Sequence, residues 1–173
     1  MQREPTHKKQ RAATRASSIP PVSSELRTTR RNLPHWQVGG AAYFVTFRVK
    51  KGILSEDERS LVLSACLHWQ QRQWRLYAVV VMPDHVHLLA QPLPSGKNHW
   101  YPLGEILPSV KSYSAHPVNK LRRSRGAVWL DESFDRIVRD QAEFKEKLFY
   151  MAHNPVKAGL ARTETEYPYF WVG

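Results

Sequence analysis

Two dense apolar runs sit side by side near the middle of the chain. "WRLYAVVVM", residues 74–82, and "HVHLLAQP", residues 85–92, are separated only by Pro83-Asp84. The first is rich in β-branched and aromatic residues and the second begins with alternating polar and apolar positions, so both read as strands, and the break between them as a tight connection. Pro92 closes the second run. An earlier aromatic run, "YFVTFRV" at 43–49 after a glycine pair, predicts another strand. Ser55 then opens a helix: the hydroxyl caps, the carboxylates of Glu56 and Asp57 favour the first turn, and Glu58 completes a capping box. Leu61, Leu63, Ala65, Leu67 and Trp69 continue it to about Gln73. A second helix is expected over 102–116, bent or shortened by Pro108 and Pro117. Two short extended pieces follow, around Trp129 and over 134–138. A last helix is expected from Gln141 to His153, with Asp140 as N-cap and Asn154-Pro155 as its end. Strand, helix, strand, strand, helix, strand, helix is the order of an α+β, ferredoxin-like split β-α-β sheet with antiparallel strands.

Before this pattern the character changes. Residues 1–32 carry Arg3, Lys8, Lys9, Arg11, Arg15, Arg27, Arg30 and Arg31 among Ser, Thr and Pro, with few large apolar side chains. Such a segment is expected to be a basic, disordered tail, because it cannot bury enough surface to offset chain entropy. Residues 33–160 form the folded unit, and 161–173 a C-terminal tail that its aromatics can fasten to the body. Across the whole chain, 26 Lys+Arg face 15 Asp+Glu, a formal charge of +11. That field suits a polyanion, most commonly nucleic acid; solubility alone is the other reading. Cys66 is the single cysteine. It excludes an internal disulfide and a cysteine-based zinc site, and it fits a reducing cytoplasm. No stretch approaches the roughly 20 apolar residues that span a bilayer, and the N-terminus lacks the apolar core of a secretory signal.

The chemistry sits in the third strand. Residues two apart on a strand face the same side, so His85 and His87 project together. Two neutral imidazoles can bind a divalent cation, and two ligands suit an open catalytic site better than a closed structural one. The bland alternative is a solvent-facing strand with two incidental histidines. On the last helix, Phe144, Leu148 and Met151 form an apolar stripe. Tyr150 lies off that stripe, with Asn154 one turn later on the same side. One helix could thus present a phenol and an amide together; equally, Tyr150 could be an amphipathic residue at the core margin.

Together these segments carry a resemblance. "MPDHVHLL" is similar to the histidine-hydrophobe-histidine (HUH) motif of the single-tyrosine transposases. "VWLDESFDRIVRD", then "FYMAHNPVKAGL" with a following "YP", resembles the branch associated with repetitive extragenic palindromes (REP), the REP-associated tyrosine transposases. "RRNLPHW" and "GGAAYFVTFR" resemble that branch's start, so the likeness spans about Arg30 to Phe170. It implies a ferredoxin-like core with a C-terminal helix carrying the nucleophile. Tyr150 matches the nucleophile, His85 and His87 the metal-binding pair, and Asn154 the position of a third, amide-bearing ligand. Asp84 departs from the pattern, since asparagine is usual there, and adds a possible oxygen ligand. Pro117 interrupts a region that is normally helical.

The activity implied is cleavage and joining of single-stranded, hairpin-forming palindromic DNA through a 5′-phosphotyrosine, with Mg²⁺ or Mn²⁺. Lys111, Lys120, Arg122, Arg123 and Arg125, with Arg136 and Arg139, are the candidate phosphate contacts. Tyr113 and Trp129 are candidates for base stacking, with core burial the competing role for Trp129. The expected partner is DNA, not a membrane or a small-molecule substrate, and both a monomer and a homodimer stay open. The competing function is a non-catalytic nucleic-acid-binding protein on the same fold; a weaker third is a phosphohydrolase using water.

Overall fold

The computed structural model describes residues 26–30 and 34–173, with side chains from 38 onward. The expected tail falls mostly on residues 1–25, which lie outside the described residues. Order begins before the expected Leu33: β1 (Leu26–Arg30) pairs antiparallel with β2 (Pro34–Val38).

The central sheet is built from β3 (Tyr43–Val49), β4 (Trp74–Val81), β5 (His85–Pro92), β8 (Trp129–Ile137) and β9 (Phe170–Val172). Its order is β8-β3-β5-β4-β9, with every pairing antiparallel. The helices are α1 (Glu56–His68), α2 (Leu103–Arg122) and α3 (Gln141–Lys157). Taking β3, β4, β5 and β8 as the four core strands, their spatial order is fourth, first, third, second. This is the ferredoxin-like arrangement expected from the element order, extended by β9. β6 (Pro94–Gly96) and β7 (His99–Trp100) form a small ribbon in the polar loop.

β4 and β5 are buried almost throughout, which is why they read as unbroken apolar runs rather than alternating ones. Both faces of the sheet are covered there. Phe47 and Phe44, three residues apart, point to opposite faces. Phe47 packs edge-on against Trp129, which is buried and donates its indole N–H to Ser114 Oγ of α2 at 3.0 Å. Trp129 is therefore a core residue. Phe44 faces α3. Each such fully buried aliphatic or aromatic side chain contributes about 1.5–3 kcal/mol relative to exposure.

Ser55 caps α1 as expected: its Oγ accepts from Glu58 N, and Glu58 Oε2 accepts from Ser55 N at 2.9 Å. The helix ends at His68, five residues short of Gln73. Gln70 is held instead by its side chain, which accepts from Leu76 N, and Gln71 turns left-handed with φ of 62°. α2 does not stop at Pro117; it runs through both prolines to Arg122. α3 likewise starts at the Asp140 cap but passes through Pro155 to Lys157. A proline removes only its own N–H and crowds one carbonyl. Pro155 is buried beneath the same apolar stripe as Met151, so packing holds the helix through it. β8 is one strand, not two pieces, because pairing with β3 continues across a register shift between Phe47 and Val49. β9 was foreseen only as an aromatic tail; Tyr167 anchors it by donating its buried hydroxyl to Val81 O at 2.7 Å. Among the described residues no helix is long and apolar enough to cross a membrane.

Candidate active site

Antiparallel register sets which side chains meet. β3 pairs Thr46 with His87 and Arg48 with His85, so these four share one face of the sheet. That face is the one under α3. His85 and His87 stand with ring centroids 4.6 Å apart, at 70° to each other. Each has its Nδ1 tied down. His85 Nδ1 lies 2.6 Å from Asp84 Oδ1 and His87 Nδ1 lies 2.7 Å from Thr46 Oγ1. A carboxylate only accepts, so His85 Nδ1 carries the proton and donates to Asp84. In the neutral ring its Nε2 is left as a lone pair. The Thr46 hydroxyl can take either role; where His87 Nδ1 donates to it, His87 Nε2 is left in the same state.

Asp84 thus supports His85 through Oδ1. Its other oxygen, Oδ2, accepts from Arg48 at 3.2 Å. Partial burial works to raise the Asp84 carboxyl, but the His85 hydrogen bond and the charges of His85 and Arg48 outweigh it and hold the group below the usual carboxylate range.

His87 is buried, at 5% exposure, and its Nε2 has no hydrogen-bond partner among the described residues. A buried polar atom left unpaired is costly, and such atoms cluster where a ligand or ion completes the site. The orphaned lone pair beside a second fixed imidazole fits a divalent cation. Among the described residues no group of three His, Cys, Asp or Glu is gathered as a metal site. The remaining ligands of a cation here would be an amide, water or phosphate oxygens.

Burial, then the charges of His85 and Arg48, push the His87 imidazole down to about 3. It is neutral in the folded protein while an unfolded histidine protonates near pH 6.5. Below that pH the unfolded chain binds the extra proton, so stability is lost as pH falls towards the folded value. In metal-free protein we expect a loss of about 2 kcal/mol between neutrality and pH 5. Urea melts across that range test this, and His87→Gln is expected to flatten that part of the profile; an unchanged slope in the variant overturns the assignment.

α3 brings the phenol to the imidazoles. Tyr150 is 46% exposed, and its ring meets His87 edge-on at 5.4 Å and Phe44 at 6.0 Å. Phe44 stacks on His87 at 5.1 Å, so the three rings form one cluster. Lys147, one turn before Tyr150, lies 5.8 Å from the Phe44 ring. Asn154 is half-buried inside α3, one turn after Tyr150. Because α3 continues through Pro155, the two share a helix flank. Among the described residues Asn154 makes no hydrogen bond to either histidine. The structure therefore brings together His85, His87 and Tyr150, and sets Asn154 alongside.

The candidate phosphate contacts divide. Arg122 forms a two-pronged pair with Glu58, at 2.6 and 2.8 Å, and also donates to Ile53 O. Arg136 and Arg139 both pair with buried Glu143, each at 2.9 Å. Lys111 donates to the carbonyls of Leu130, Asp131 and Glu132 along β8. These four are woven into the fold. Lys120, Arg123 and Arg125 are exposed at the C-terminal end of α2, without an ion pair among the described residues. Tyr113 is half exposed and stacks on His68 at 4.6 Å.

That end of α2 lies at the site's end of the sheet. Val49 N donates to Asp84 O, Lys50 N to Val128 O and Leu54 N to Pro83 O, while Arg122 reaches Ile53 O. The exposed Lys50 and Lys51 join the cluster there. Neither was singled out in the sequence, although "RVKKG" directly after β3 carries the signal. Thr46 and Phe44 were also missed: only strand register shows that they face the histidines.

No protein-family model matches the chain. It is 24% identical over 141 residues, 75% of this chain and 78% of the relative, to a Haemophilus influenzae protein whose name, REP-associated tyrosine transposase, is itself provisional. A solved REP-associated tyrosine transposase, bound to a REP hairpin, matches with a TM-score of 0.67 and 18% identity, covering 82% of each chain. The chain shares the fold of that solved protein. The resemblance read in the sequence is borne out, and it is to the REP-associated branch.

Proposed function

We propose that this chain is a DNA strand transferase that cleaves and rejoins single-stranded DNA beside a hairpin, through a covalent bond to Tyr150. The observation that carries the reading is the Tyr150 ring set against His87, whose buried Nε2 is unpaired. The relatives support it: one bears the transposase name and the other was solved on a REP hairpin.

His85 and His87, through Nε2, and Asn154, through its amide oxygen, would hold a divalent cation such as Mn²⁺ or Mg²⁺. Bound there, it would neutralise and orient a phosphate. The Tyr150 oxygen attacks the phosphorus, the phenolic proton passes to solvent, and the bond to the 3′ oxygen breaks as that oxygen takes a proton back from solvent. The products are a 5′-phosphotyrosine and a free 3′-hydroxyl, and attack by a second 3′-hydroxyl reverses the step. Asp84 and Thr46 hold the imidazoles in the tautomer this needs. Lys50, Lys51, Lys120, Arg123 and Arg125 supply phosphate contacts along one edge.

A hairpin oligonucleotide with unpaired flanks, labelled at its 3′ end so that the label stays with the 5′-phosphotyrosine fragment, and incubated with Mn²⁺, tests the reading on a denaturing gel. A protein–DNA adduct that disappears with a chelator and in His85→Ala is expected. A nick without an adduct would point to hydrolysis by water, and binding alone to a non-catalytic protein; either overturns the proposal. Binding should also weaken roughly 20- to 100-fold between about 50 and 200 mM salt if three to five phosphates are contacted. A flat response in an anisotropy titration contradicts the basic edge.

A further inference from the structure

α3 covers only part of its face of the sheet. It lies over β4 and β5, and through Tyr150 and Glu143 it reaches the Phe44–Arg136 end of β3 and β8. Toward the other end of β3 and β8 sit Thr46, Arg48 and Phe134, of which Arg48 and Phe134 are exposed among the described residues. Register ties them directly to the site: Phe134 pairs with Thr46, and Thr46 pairs with His87. The three side chains therefore lie in one row on one face. Two strand spacings put Phe134 about 10 Å from His87.

Phe134 is 57% exposed on the edge strand, while its neighbours Ser133 and Asp135, on the opposite face, are half-buried. A single exposed apolar side chain is ordinary on a protein surface. This one is an aromatic ring in register with His87, whose Nε2 is unpaired among the described residues. It is flanked by Arg48, whose side chain is 57% exposed, and Arg136, 46% exposed. A flat ring beside guanidinium groups, a nucleotide's reach from a phosphate-binding centre, matches the chemistry of an unpaired nucleobase. We propose that Phe134 is the stacking platform for the unpaired base next to the phosphate that Tyr150 attacks. The inference rests on the strand-transfer reading for which phosphate that is, and adds the residue that registers the strand.

The test uses full-length protein carrying Tyr150→Phe, so that no cleavage occurs. Its probe is a DNA hairpin with short unpaired flanks in which each flank base in turn is replaced by fluorescent 2-aminopurine. Stacking quenches that base. We expect quenching at one flank position, lost on adding Phe134→Ala and kept with Phe134→Tyr. Affinity for the flanked hairpin should fall about tenfold in the alanine variant, with affinity for a blunt hairpin and the melting temperature unchanged. Quenching and affinity that survive Phe134→Ala overturn the platform, as does a Phe134-dependent self-association without DNA. Adduct formation by the unsubstituted protein, measured on the same oligonucleotide, separates the two readings. An adduct with Phe134-independent quenching removes the platform alone. Phe134-dependent quenching without an adduct removes strand transfer alone, and no binding to any hairpin removes both.

Discussion

Replacing Tyr150 with phenylalanine is expected to abolish covalent DNA capture, by at least ~10³-fold, and to leave hairpin binding within a few-fold. The change removes one oxygen. That hydroxyl makes no hydrogen bond among the described residues, whereas the ring contacts to His87 and Phe44 involve the phenyl body and persist. Tyr150 is also well exposed, so the fold loses little. Affinity comes mostly from phosphate contacts spread over the basic edge, which the substitution leaves alone. Adduct gels and anisotropy on the same oligonucleotide separate the two effects. If binding falls as far as cleavage does, Tyr150 is part of the binding surface and not the nucleophile. If the adduct persists, another group forms it.

Arg122→Ala is expected to destabilise the protein by about 2–3 kcal/mol, lowering its melting temperature by roughly 5–10 °C. Glu58 is buried, at 4% exposure, and its carboxylate is served by both prongs of Arg122 and by Ser55 N. Removing the guanidinium leaves a buried charge half-satisfied and frees Ile53 O as well. The pair also has a pH signature. The Arg122 hydrogen bond holds the Glu58 carboxyl below its ordinary 4.5. A depressed carboxyl stabilises the fold above its unfolded value, and that contribution is lost as pH falls through the folded one. The acid limb below about pH 4.5 should therefore be shallower in the variant. The triple substitution of Lys120, Arg123 and Arg125 by alanine should do the reverse. It should weaken DNA binding and flatten its salt dependence, with thermal stability nearly unchanged. An Arg122→Ala protein that melts like its parent but binds DNA poorly would return Arg122 to the phosphate contacts.

These two cases show how far residue type goes. An arginine in "KLRRSRG" looks like its neighbours, yet Arg122 is a brace between helices, while Arg123 and Arg125 have no ion pair among the described residues. Nothing local distinguishes them, because the acid that claims Arg122 lies 64 residues away. Asp84 is similar. Its position before the first histidine suggested an oxygen ligand, and only the folded geometry shows that its two oxygens also pair with His85 and Arg48. The helix ends fail for the same reason. Pro117 and Pro155 are breakers by local rule, and packing of Val118, Met151 and Pro155 into the core overrides them.

By itself the sequence determined what depends on short-range periodicity and chemistry. Alternation placed His85 and His87 on one face, the Ser55–Glu58 box and the Asp140 cap placed two helix starts, and the order of elements named the sheet. Tyr150 off the apolar stripe, one turn before Asn154, was legible too. Tertiary structure decided which of those groups meet. Register set Thr46 and Phe134 in line with His87, α3 laid the phenol against the imidazole, and ion pairing sorted the cations. The physical reason is range. Periodicity and capping act over a few residues, whereas strand pairing and buried charge pairs act between segments tens of residues apart, and only the folded chain says which segments those are.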